Sequence, residues 1–94
     1  VAMINYKLLK IREKLDKLDD KFLILIKKRT FLVNQVLKTK QHKSEIIDKK
    51  RIKKILSNIR KKSKKKNIDI KITNKIWKSM IQAFINYEFR NFKK

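Results

Sequence analysis

An apolar seam runs from Ile4 to Lys40 with neither glycine nor proline to interrupt it. Ile4, Ile11, Leu18, Leu25 and Leu32 form one seven-residue series, and Leu8, Leu15, Phe22, Arg29 and Val36 form the other. That spacing keeps one face of an α-helix turned towards a partner over its whole length. At 1.5 Å per residue the predicted helix is about 55 Å long, too long for a 94-residue chain to bury alone. Its seam needs a cover, and a second copy of the same helix is the simplest one, so the spacing predicts an intertwined homodimer. Arg29 breaks the seam. An unpaired guanidinium in an apolar stripe costs several kcal/mol, so Arg29 needs an anion, either an acid across the dimer interface or a ligand.

A chain of this length makes one domain, here residues 1–94, and buries only about 60 to 65% of the surface it exposes when unfolded. That small core is a second reason to expect oligomerisation. There is no cysteine and a single histidine, His42, which excludes disulfides, thiolate metal sites and paired-imidazole metal centres. Without glycine there is no phosphate-cradling loop, and His42, in a lysine-rich loop, is expected to be exposed rather than part of a Ser-His-Asp triad. Eight acids are too few for a carboxylate metal site, and Asp16, Asp19 and Asp20 fall on flanks suited to surface salt links. No metal or cofactor is expected. The N-terminus lacks a signal pattern, and the longest apolar run, Phe22 to Ile26, is too short to cross a membrane. A soluble, cytoplasmic protein is the expectation.

The formal charge is +21. Such a field attracts polyanions, but 24 lysines with only 5 arginines, beside 15 isoleucines and 7 asparagines, is the drift of an AT-rich coding sequence. Much of the charge is therefore attributed to codon composition. The arginines that survive this drift, at positions 12, 29, 51, 60 and 90, become the informative cations.

The rest of the chain reads as two shorter helices. Gln41 to Ile47 breaks the seam pattern and forms a loop in which Ser44 can serve as a cap. Helix two is placed from Asp48, with Ile52, Ile55, Leu56 and Ile59 as its apolar face, and ends in the tract Lys61 to Lys66, read as a solvated helix end. Asn67 to Asp69 form a short loop. Ile70 and Ile72 anchor it, and helix three starts near Thr73. Ile76, Trp77, Met80, Ile81, Phe84, Tyr87 and Phe92 then recur at three and four, with Glu88 on the same face. The fold class is all-α: three helices, one very long, in a dimeric bundle. Phe31, Trp77 and Phe84 are expected in the core.

Few groups are left for chemistry. At about 100° per residue, Arg29 and Lys40 project from the same side of the long helix, three turns apart. Lys40 reads either as an inward cation or as an exposed helix end. Glu88 reads either as the partner of one of the many lysines or as a desolvated carboxyl with a raised pKa, able to donate a hydrogen bond.

The run Ile11-Arg12-Glu13-Lys14-Leu15-Asp16-Lys17-Leu18-Asp19, then Lys28-Arg29, then Val36-Leu37-Lys38-Thr39-Lys40, then Asp48-Lys49-Lys50-Arg51, resembles the all-helical class of chorismate mutase over nearly the whole chain. Three of the five arginines fall on positions that carry the likeness. The resemblance implies an intertwined homodimer with two active sites, Arg12 being donated by the other subunit. It would make Arg12 and Arg29 clamps on the two carboxylates of chorismate, set Lys40 and Glu88 beside the ether oxygen, let Arg51 add positive potential and have Asp48 orient the ring hydroxyl.

Three residues depart from the family pattern: Ile52 stands where many mutases have glutamate, Phe84 where a serine is frequent, and Glu88 where glutamine is usual. Ile52 and Phe84 are similar to the sibling isochorismate pyruvate lyases, which share the fold. Glutamate at the last position occurs in some mutases and must be protonated to donate. The leading expectation is thus a chorismate mutase, the second a lyase. The third, from the charge of +21 and the Lys61 to Lys66 tract, is a basic helical protein binding nucleic acid or an acidic partner through many lysines, and nucleic acid is not an expected partner of the first two.

Overall fold

The structure, a computed structural model, describes residues 5–93. Among these there are three α-helices and no strand: α1, Tyr6–Thr39; α2, Lys49–Lys65; and α3, Ile70–Asn91. A single 3₁₀ turn, Lys43–Glu45, lies between α1 and α2. The all-α expectation holds. Ile4, the first member of the seam, lies outside the described residues.

The chain divides into two compact units, Val1–Leu32 and Val33–Lys94. The first contains the greater part of α1. Asn5 caps it, its Oδ1 accepting from the Leu8 N–H at 3.0 Å, which satisfies one of the donors that a helix start leaves open. The seam is bare here: Leu15, Leu18, Phe22, Leu25 and Leu32 are all more than half exposed. Phe31, expected in the core, is 62% exposed.

The second unit holds the core. Leu37, Ile46 and Ile85 are buried, with Ile52, Ile81 and Phe92 packed against them. Helix α2 lies on α3, and between them Ser63 Oγ and Thr73 Oγ1 form a buried hydrogen bond of 2.8 Å. Ser63 Oγ also donates to the Ile59 carbonyl at 2.6 Å, so both hydroxyls are satisfied where an unpaired one costs about 1–3 kcal/mol. Trp77 and Phe84 are half-buried, whereas Ile76 is exposed.

Helix boundaries differ from the expected ones for identifiable reasons. Helix α1 stops at Thr39, one residue before Lys40, whose N–H closes the last turn on the Leu37 carbonyl at 3.1 Å. Asp48 is the N-cap of α2 rather than its first residue, its Oδ1 accepting from the Arg51 N–H at 3.0 Å. Ser44 caps nothing; it sits inside the 3₁₀ turn that His42 precedes. Helix α3 begins at Ile70, three residues before the expected start, because Asp69 caps it through the Lys71 N–H at 2.8 Å. Helix α2 ends where Asn67 turns to φ 56°, the Ile68 N–H reaching the Ser63 carbonyl at 2.9 Å and the Asn67 N–H the Lys64 carbonyl at 3.2 Å. This is the left-handed helix stop that glycine usually supplies, and in a chain without glycine an asparagine, which tolerates that region best among the rest, takes its place.

Candidate active site

The structure joins two of the expected site residues directly. Lys40 Nζ donates to Glu88 Oε1 at 3.1 Å, across 48 residues of sequence and between the end of α1 and the penultimate turn of α3. The side chains are 15% and 9% exposed, so the pair is largely shielded from water. Both open readings are thereby decided: Lys40 is an inward cation, and Glu88 has a lysine partner. A shielded pair of this kind is held as a unit, because removing one member strands the other's charge.

Tyr87, next to Glu88 on α3, donates from its hydroxyl to Asn34 Oδ1 at 3.0 Å. The Arg90 guanidinium lies 6.0 Å from the Tyr87 ring centroid, and Phe84 meets that ring edge-on with centroids 6.4 Å apart. Sequence reasoning took Tyr87 only as an apolar face residue. The signal that distinguishes Tyr87 was its hydroxyl, which needs a partner when half-buried. With Lys40–Glu88, the Asn34–Tyr87 bond pins α3 against the last turns of α1 at two points, which sets the direction in which Glu88 faces.

The remaining expected residues lie as follows. Ile52, on the first turns of α2, is half-buried beside Leu37, Ile46 and Ile85. Arg51 is exposed in the first turn of α2, and Asp48 uses Oδ1 as a cap, leaving its other oxygen available. An open depression of about 510 Å3 lined by Glu45, Ile47, Asp48, Lys49 and Lys50 adjoins Asp48, but neither Lys40 nor Glu88 lines it. Arg12 and Arg29 belong to the first unit. Arg12 is exposed; Arg29 is half-buried, with its Nε withdrawn from solvent. His42 is exposed, as expected. Among the described residues no group of His, Cys, Asp or Glu is arranged to hold a metal ion, and no helix is long and apolar enough to cross a membrane.

No curated protein and no solved structure matches the chain. The family described as chorismate mutase type II, by contrast, matches residues 11–89, a stretch that includes Arg12, Arg29, Lys40, Asp48, Arg51, Ile52, Phe84 and Glu88. With the match running from early in α1 to the close of α3, the chain belongs to the chorismate mutase type II family.

Proposed function

We propose that the chain is an isomerase that converts chorismate to prephenate, as a cytoplasmic homodimer serving aromatic amino-acid biosynthesis. Family membership supports the reaction class. The observation that carries the reading is the shielded Lys40–Glu88 pair, since these are the two positions that the resemblance assigns to the ether oxygen. In this [3,3] rearrangement the ether C–O bond breaks as a C–C bond forms within the same molecule. No proton or group passes to the protein. The enzyme holds the folded dianion and stabilises the negative charge growing on the ether oxygen, work that fixed cations and donors can do without a nucleophile or metal.

In this mechanism Lys40 is the fixed cation at the ether oxygen. Glu88 stands beside it, and its Oε1 accepts from Lys40 and so fixes the direction of the ammonium. Arg29, and Arg12 from the other subunit, clamp the substrate carboxylates, Arg51 adds positive potential, and the free oxygen of Asp48 orients the ring hydroxyl. Ile52 and Phe84 make the apolar wall. The bare seam of α1 supports the dimer: a row of large apolar side chains this long marks an interaction surface.

The test is to incubate purified protein with chorismate, follow the loss of its absorbance and identify the product. Prephenate formation is expected, and no turnover above background refutes the proposal. A second reading rests on Ile52 and Phe84, the two apolar departures from the mutase pattern: isochorismate pyruvate lyase on the same fold. Release of pyruvate from isochorismate, with little conversion of chorismate, would decide for it.

A further inference from the structure

The mutase reading leaves one conspicuous surface unused. Ten of the 17 residues of α2 are lysine or arginine and none is acidic. Lysine-rich composition does not account for this. Helix α1 also carries ten cations, but over 34 residues and interleaved with Glu13, Asp16, Asp19 and Asp20, whereas from Lys49 to Ile68 there is no acid at all. Every lysine and arginine of α2 is exposed, and among the described residues none is paired with a carboxylate. Taking 100° per residue, Lys53, Lys54, Lys61 and Lys64 fall in a sector about 100° wide, directly away from the half-buried Ile52, Ile55, Leu56 and Ile59.

We propose that this face of α2 is a docking surface for duplex nucleic acid, bound through its phosphates without regard to sequence. From Lys53 to Lys64 this face is about 17 Å long and presents roughly one cation per 4 Å. A strand of duplex DNA, with one phosphate about every 3.4 Å, is a polyanion of comparable spacing. A lipid surface fits less well. A membrane-surface helix inserts its apolar face, and that of α2 is committed to α3. A single strand also fits less well, because α2 has no aromatic side chain on which bases could stack. Lysine predominates, and its compact charge attracts phosphate without the planar fork by which arginine reads a base edge. The surface therefore positions a duplex and does not read it.

Two variants of equal charge change separate the α2 face from mere net charge. One carries Lys53→Gln, Lys54→Gln, Lys61→Gln and Lys64→Gln; the other carries Lys10→Gln, Lys14→Gln, Lys17→Gln and Lys21→Gln, on the polar flank of α1. Helical content by circular dichroism checks that both fold. Binding to a fluorescent 20-base-pair duplex of arbitrary sequence is then measured by anisotropy across a salt series. The α2 variant is expected to bind about 100-fold more weakly or worse at 0.1 M salt, with the slope of log K against log salt reduced by about 3 to 4, close to 0.9 per phosphate contact removed. The α1 variant should lose less than about fivefold. Equal losses in the two variants, or an unchanged α2 variant, overturn the proposal. So does tighter binding of the unaltered protein to oligo(dT) or to phosphatidylserine vesicles than to the duplex.

Discussion

The Lys40–Glu88 pair makes the sharpest demand on the protein, and Lys40→Met tests it. Methionine keeps most of the length of the side chain and removes its charge. Glu88, 9% exposed on its side chain, then loses the ammonium 3.1 Å away and is left as a shielded carboxylate. Breaking a buried pair from one side costs about 3 to 5 kcal/mol, and the residual access of water to both groups sets the expectation at the lower end, about 3 kcal/mol. For a domain this small that corresponds to a fall in Tm of about 12 to 24 °C. Glu88→Gln leaves Lys40 a neutral acceptor and should cost about 1.5 kcal/mol. The double variant should cost only about 2 kcal/mol, because neither charge is stranded, which gives a coupling energy of about 2.5 kcal/mol. Urea unfolding followed by circular dichroism, at one fixed protein concentration so that any dimer contributes equally, measures all four corners of the cycle. A coupling below about 0.5 kcal/mol, the range of exposed surface pairs, would refute the claim that the two residues act as a shielded unit. Turnover discriminates further: Lys40→Met should lose roughly 100-fold or more in kcat whether residue 88 is Glu or Gln, since no stability gain restores the missing cation.

If Arg12 is donated across a dimer, inactive Arg12→Ala and inactive Arg29→Ala proteins, refolded together at equal amounts, should recover about a quarter of the unaltered activity, since half the dimers are mixed and each holds one intact site. No recovery would return Arg12 to its own subunit. Ser63→Ala should destabilise by about 1 to 3 kcal/mol by leaving the Thr73 hydroxyl short of its partner, whereas Ser63→Ala with Thr73→Val should come close to neutral in urea unfolding. Asn67→Ala should cost about 1 kcal/mol and Asn67→Gly nothing or less, because only the former pays a Cβ penalty at positive φ.

How much of this was legible in the sequence depended on how local the cause was. Period-seven apolar spacing is a property of one helix, and α1 follows it almost to the residue. Caps are equally local, yet the sequence reading leaves Asp69 in the loop with Asn67 and Ile68, and its carboxylate on the Lys71 N–H brings α3 forward to Ile70. The contacts of Lys40 are not local. Spacing put it on the inward side of α1, but its partner lies 48 residues away, and no helical periodicity states which turn of α3 meets which turn of α1. Resemblance named Glu88 as its neighbour. Asn34 and Tyr87 carried no such label, and their bond became visible only with the two helices set side by side.

Arg29 and the bare seam pose one physical problem at two scales. Leu25, Leu32 and Phe22 stay more than half exposed, and a helix with that face open gains little from its own chain. Covering the face with a second α1 removes the apolar side chains from water at roughly 25 cal/mol per Å2, but the same act desolvates the guanidinium at position 29. A dimer that buried Arg29 against apolar neighbours alone would give back several kcal/mol of that gain. An anionic ligand lowers that cost, and none of the chain's eight acids lies on the two seven-residue series. On the proposed function that anion is a substrate carboxylate. The cationic residue that makes the seam imperfect as a coiled coil is then the residue that makes it a wall of the site. Arg29→Leu should accordingly strengthen dimerisation while abolishing turnover, and sedimentation equilibrium beside the chorismate assay reads both. Weaker association in Arg29→Leu would mean instead that Arg29 is a structural tie between subunits.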